Sequence, residues 1–171
     1  MKSISINDLI DIINDDEKII EFSSEAYNTL SLYLDSSQSA GELANYLSTL
    51  TSSYAYILGV ISQCDHINSY LEELINEHGA IARNKNQTVY RTKKTIQDKE
   101  DEVRFVVVKD IVIFNKSFKS KKIQDLIWMT KRIQSLRGYF KYMADIVDRS
   151  IEAGRTILSF QKEELKNLGV S

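Results

Sequence analysis

Proline is absent from this 171-residue chain, where average usage of about 5% would supply roughly eight. That absence speaks against immunoglobulin-like and other turn-rich β folds. A single cysteine, Cys64, cannot form an intramolecular disulfide, which excludes a secreted, stapled scaffold. No apolar run approaches the ~20 residues of a membrane span. The opening Met-Lys-Ser-Ile-Ser-Ile-Asn-Asp lacks a basic region followed by an apolar core, so no signal peptide is expected. These absences predict a soluble protein of a reducing compartment, cytoplasmic (host cytoplasm if viral), with no membrane partner.

What is present is hydrophobic enough for a core, at 43% apolar residues, and is sharply divided in charge. The net charge of −2 conceals a balance of −11 over residues 1–82, +10 over 83–141 and −1 over 142–171. Segregation of this size points to a polyanionic partner, or to acidic and basic segments that neutralise each other within the fold or between subunits. Both readings stand at this level.

Apolar spacing predicts helices almost throughout. The first is expected to begin after Ser5 or Asn7, carrying Leu9, Ile10 and Ile13. Asp15-Asp16-Glu17 interrupts it, which suggests pieces over 6–14 and 16–34. Asp35 to Ser39 is a cluster of capping and turn residues, and Ser39-Ala-Gly-Glu42 fits the capping box, where hydroxyl and glutamate satisfy free amides reciprocally. The helix that follows carries Leu43, Leu47, Leu50, Tyr54, Ile57, Ile61, Cys64, Ile67, Leu71 and Leu74, a heptad seam with one extra three-residue step at Cys64–Ile67. Gly59 interrupts it, which suggests a close helix contact.

Residues 84–95 are polar, basic and poor in core residues, and form the expected connector between an acidic helical region, 1–83, and a basic-to-amphipathic helical region, 96–171, within one structural domain. Thr95-Ile-Gln-Asp98 resembles a new N-cap. Residues 103–114 are rich in β-branched side chains, which suits a strand, but the capping signal and helical surroundings favour helix. A second long helix is expected from Lys116 to about Leu168, with Leu126, Met129, Ile133, Leu136, Phe140, Met143, Val147, Ser150, Gly154 and Ile157 in strict 3-4 alternation. Small residues at Ser150 and Gly154 would admit another backbone closely. The predicted fold is all-α: long antiparallel heptad-patterned helices forming a hairpin or bundle that oligomerises.

Chemistry-bearing residues are sparse. His66 and His78 are the only histidines, more than three helical turns apart. Cys64 and His66 diverge by about 200° on a helix and do not make a metal pair. No phosphate-binding glycine loop, nucleophile elbow or zinc-protease motif occurs. Asp15-Asp16-Glu17 and Glu72-Glu73 read as solvated helix faces. No enzyme, cofactor or metal is expected. The one constellation is the basic stretch, in which Arg83, Lys85, Arg91, Lys93, Lys94, Lys121 and Lys122 are the candidate nucleic-acid-binding residues, with Tyr90, Phe105, Phe114, Phe118 and Trp128 interleaved. Cations that track phosphates and rings that stack bases together bind single strands without reading sequence.

An acidic helical N-terminus, a long helix ending at Arg83-Asn-Lys85, Thr95-Ile-Gln-Asp-Lys-Glu100 before the third helix, and Tyr142-Met-Ala-Asp-Ile-Val-Asp-Arg-Ser-Ile-Glu-Ala-Gly-Arg155 in the last resemble the UvsY-type recombination mediators of tailed phages. The resemblance implies a single-strand-binding basic-x-basic element at Arg83 and Lys85. Here arginine and lysine are in inverted order and the flanking tyrosines are missing. It also implies ring assembly through the C-terminal helix, a role falling to Phe140, Met143, Val147, Ile151 and Ile157. The expected function is thus a non-enzymatic, homo-oligomeric single-stranded-DNA-binding mediator in recombination or replication, its acidic N-terminal helices engaging a recombinase or other basic protein. The alternative is a coiled-coil structural or interaction module (scaffold, virion component or helical inhibitor) without nucleic-acid binding.

Overall fold

A computed structural model describes residues 4–28, 30, 39–85 and 102–167, in the order α1 (Ile6–Ile13), α2 (Asp16–Asn28), α3 (Ala40–Lys85), β1 (Val107–Ile113), β2 (Lys116–Lys122) and α4 (Ile123–Asn167). The chain is mostly helical. Helix α1 starts where Ser5 closes a capping box with Asp8: the Ser5 hydroxyl donates to the carboxylate at 2.6 Å and accepts the Asp8 amide at 3.2 Å. The expected box at Ser39–Glu42 opens α3 in the same way, with both the Ser39 amide and hydroxyl 2.8 Å from the Glu42 carboxylate. These bonds hold both carboxyls below their ordinary values: for Asp8 the largest cause is the Ser5 hydroxyl, and for Glu42 it is the Ser39 amide. The break between α1 and α2 falls at Asn14 and Asp15.

Two expectations are corrected. Residues 107–113 form a strand, not helix, and α4 begins at Ile123, seven residues later than expected, because 116–122 pairs with that strand. The antiparallel register runs from Val107 opposite Lys122 to Ile113 opposite Lys116. The β-branched run Val106-Val107-Val108 and Ile111-Val112-Ile113 prevails over the helical context, as pleated geometry suits such side chains. Only a single turn, 102–104, is helical there. Phe114 sits in the turn with φ 51°, a left-handed conformation uncommon for a bulky residue, and packs on Tyr70 (ring centroids 4.6 Å apart) and edge-on to His66 (5.1 Å). The Tyr70 hydroxyl also donates to the Val112 carbonyl at 3.2 Å.

The described residues divide into two compact units, each drawn from both sides of the expected connector. One takes in Ile20–Ser62 and Arg137–Ser171. Its buried apolar side chains are Ala26, Leu30, Leu43, Leu50, Ile57 and Val60, with Phe140, Met143, Ala144, Val147 and Ile151 of α4. Phe22 stacks on Phe140 at 5.4 Å, and the Tyr139 hydroxyl donates to the Ser23 carbonyl at 3.1 Å. Burial, with a smaller contribution from Tyr27, pushes the Tyr139 phenol up. A Cβ on Gly154 would lie 2.7 Å from Leu47 Cδ2, so the small residue there makes room for leucine side chains of α3, where another backbone was expected. Gly59 has nothing within 4 Å of a Cβ, and the close contact suggested for it is not found.

The other unit comprises Ile4–Ile19 and Gln63–Leu136. Leu9, Ile10 and Ile13 of α1 are wholly buried in it, as are Cys64, Ile67, Leu71, Ile113, Leu126 and Ile133. Ala82, Val103 and Ile123 form a further cluster, flanked by Ile75, Val106, Val108 and Ile127. Hairpin and helix are joined where the Ile123 amide donates to the Val106 carbonyl at 3.1 Å.

Along α3 the buried positions refine the seam. Ser53 and Val60 are buried, whereas Tyr54 and Ile61 are half-buried. Buried residues then fall at 50, 53, 57, 60, 64, 67 and 71, a regular 3-4 alternation in which the extra step at Cys64–Ile67 disappears. Among the described residues no helix is long and apolar enough to cross a membrane.

Candidate nucleic-acid interface

Lys116, Lys119, Lys121 and Lys122 place four cations in the seven residues of β2. A regularly alternating strand would direct neighbouring side chains to opposite faces. Here Lys119 and Lys122 are exposed, while Lys116 and Lys121 are half-buried. Lys122 lies 6.0 Å from the centroid of Phe105, itself 64% exposed, and Lys121 lies 4.8 Å from that of Phe118. Cation and ring are thus juxtaposed twice, once within the hairpin and once between its end and the turn before it, an arrangement favourable for a cation over an aromatic face.

The half-buried cations reach back to the N-terminal residues. Lys116 pairs with Asp11, and Lys121 donates to Asn14 Oδ1 at 3.0 Å. Arg132, on the first part of α4, donates to Asp16 at 2.8 Å and to the Ile13 carbonyl at 3.3 Å. Acidic and basic segments therefore do meet within this unit, through α1 and the start of α2. These contacts border an open cleft of about 390 Å³ lined by Asn14, Asp16, Lys121, Asp125, Trp128, Met129 and Arg132. Asp125, Trp128, Met129 and Arg132 share one face of α4 by their i, i+3, i+4, i+7 spacing. Asp125 accepts the Lys122 amide at 2.8 Å and so caps the helix, while Trp128 is 53% exposed with Lys131 Nζ 5.3 Å from its ring centroid.

The expected site residues are distributed unevenly. Lys121 and Lys122 stand on the hairpin and Arg83 is exposed near the end of α3. Lys85 closes α3 by its backbone, and its side chain lies outside the described residues, as do Arg91, Lys93, Lys94 and the connector from residue 86. Phe140, Met143, Val147 and Ile151, expected at a subunit interface, are buried within the single chain, and Ile157 is half-buried. Sequence reasoning singled out Trp128 but missed Asn14, Asp16 and Arg132, whose partnership spans more than a hundred residues and follows no periodic pattern. No group of three or more potential metal ligands occurs among the described residues. Comparison with family models, curated proteins and solved structures finds no match to this chain.

Proposed function

We propose that this chain is a non-enzymatic, single-stranded-DNA-binding accessory protein of recombination or replication, acting as a homo-oligomeric mediator of the UvsY type in the cytoplasm. The observation that carries the reading is the coupling of hairpin cations to rings, Lys122 with Phe105 and Lys121 with Phe118, beside the exposed Trp128. Phosphates are met by the lysines with release of counterions, and unpaired bases by the rings. Weak sites repeated around an oligomer give avidity without sequence specificity. Heptad pairing of α3 and α4 as an antiparallel hairpin supplies the scaffold, supported by the contact of Gly154 with Leu47 and by the Ala82–Ile123 cluster. With four of the five candidate interface residues inside their own subunit, assembly along α4 draws on Ile157 and the exposed Tyr142 and Phe160. Acidic surface left on the N-terminal helices engages a recombinase or another basic protein.

A structural or interaction module without nucleic-acid binding is favoured instead by the pairs Asp11–Lys116 and Asp16–Arg132, in which basic residues neutralise the chain's own acidic half. Titration against single-stranded and duplex DNA at low and high salt separates the two. Binding of single strands with a steep salt slope is expected. Replacing Arg83, Lys85, Arg91, Lys93 and Lys94 together by alanine should flatten that slope by about 0.7 for each phosphate no longer neutralised, with helix content unchanged. Undiminished binding with a lowered melting temperature would assign those cations to internal neutralisation. Absence of binding at about 50 mM salt would exclude the single-strand function.

A further inference from the structure

We infer that the cleft beside Trp128 is a base-stacking subsite that takes one unpaired nucleobase with its adjoining phosphate, an inference that rests on the single-strand reading above. Three elements build it: the α1–α2 junction supplies Asn14 and Asp16, the end of β2 supplies Lys121, and one face of α4 supplies Asp125, Trp128, Met129 and Arg132. Its volume of about 390 Å³ lies in the range that admits a nucleotide-sized ligand. Trp128 offers the apolar surface. Half of this large side chain is open to solvent, although its neighbours on α4, Leu126 and Met129, are buried.

The polar groups around the indole are already positioned. Asn14 donates to the Ile10 carbonyl at 2.7 Å and accepts from Lys121 at 3.0 Å, which holds the lysine in the cleft wall. Asp16 and the Ile13 carbonyl orient the Arg132 guanidinium and engage two of its five N–H donors. The carboxylates do not leave the cleft acidic, because Asp16 and Asp125 are matched in its lining by Arg132, which pairs with Asp16, and by Lys121. Lys131 over the indole adds the net positive charge, and Lys121 in the wall offers an ammonium within the cleft for a phosphate. A base stacked on Trp128 would therefore sit with its backbone beside cations fixed before it arrives, which lowers the entropy cost of binding. A base paired in a duplex has no free face to offer, so the subsite selects single strands by access and not by sequence.

Trp128 is the only tryptophan in the chain, so its fluorescence reports on this cleft alone. The test pairs that signal with the anisotropy of two labelled oligomers of equal length, an oligothymidylate and its abasic counterpart. Both should bind through their phosphates, but only the thymidylate should quench Trp128. Trp128→Ala should weaken thymidylate binding roughly five- to tenfold and leave abasic binding unchanged, and Trp128→Phe, which keeps a ring, should restore most of the loss. Should Trp128→Ala lose helix content, the wild-type quenching and the phenylalanine variant decide. Thymidylate binding without quenching, or equal losses for both oligomers, overturns the subsite and leaves single-strand binding standing. Failure of both oligomers to bind overturns the single-strand reading, and the subsite with it.

Discussion

Replacement of Phe140 by alanine tests whether the C-terminal helix is held by its own chain. The ring is fully buried, stacks on Phe22 at 5.4 Å and an interplanar angle of 29°, and meets Tyr139 edge-on at 5.9 Å. Truncating a buried phenylalanine costs about 3–5 kcal/mol, through forfeited transfer free energy and the cavity left behind. Of that, roughly 0.5–1.5 kcal/mol belongs to the aromatic pair itself. Against a typical total stability of about 5–15 kcal/mol the loss is severe. At roughly 2–4 °C per kcal/mol for a chain of this size, the melting temperature should fall by roughly 6–20 °C. Urea unfolding followed by circular dichroism measures the cost, and a double-mutant cycle with Phe22→Ala isolates the pair. Sedimentation of the same variant discriminates further. If Phe140→Ala left helix content and unfolding midpoint intact but dissociated an oligomer, the ring would belong to a subunit interface, and its packing within the single chain would be refuted.

Glycine substitutions should have opposite signs at two positions. Gly59→Ala should raise stability by about 1 kcal/mol, since an exposed helical glycine gains propensity and its Cβ meets nothing. Gly154→Val should lower it by about 1–3 kcal/mol by crowding Leu47; equal effects in thermal melts would contradict the packing. The two capping boxes predict an acid limb. Folded-state pKa values below the ordinary 3.8 of Asp8 and 4.5 of Glu42 mean that their stabilisation is complete above those values. It is then lost as pH falls through the lowered ones. The double variant Asp8→Asn, Glu42→Gln should flatten this limb in an acid titration of helicity, and an unaltered limb would show that the caps do not contribute.

Helical elements were legible wherever burial is one-sided and local. Ser5 and Ser39 announce their helices by short-range capping chemistry, and the 3-4 alternation from Leu126 to Val147 coincides with buried positions because a helix turns those residues to one side. On α3, choosing the larger Tyr54 and Ile61 over Ser53 and Val60 shifted the seam by one residue, since hydrophobicity alone cannot report that a small hydroxyl is enclosed. The hairpin was harder to see. Phe114-Asn115 lacks the glycine usual in a tight turn, and β2, with four lysines, acquires strand character only from its partner. The Trp128 cleft was illegible for a related reason: its walls come from residues distant in sequence that only tertiary folding unites.

That distance also sets an order of events during synthesis. The partners of α1 lie 105 residues downstream for Asp11, 107 for Asn14 and 119 for Ile13. At ribosomal rates of roughly 5–20 residues per second, they emerge roughly 5–24 s after the helix they hold. An eight-residue segment is too short to persist as an isolated helix over that interval, so Leu9, Ile10 and Ile13 wait without their full native cover. The carboxylates at Asp8, Asp11, Asp15, Asp16 and Glu17 surround this apolar triplet with negative charge. Nascent chains on neighbouring ribosomes thereby repel one another at the segment most exposed to premature association. Asp11 and Asp16, which later anchor Lys116 and Arg132, thus act first as guardians of an unfinished core.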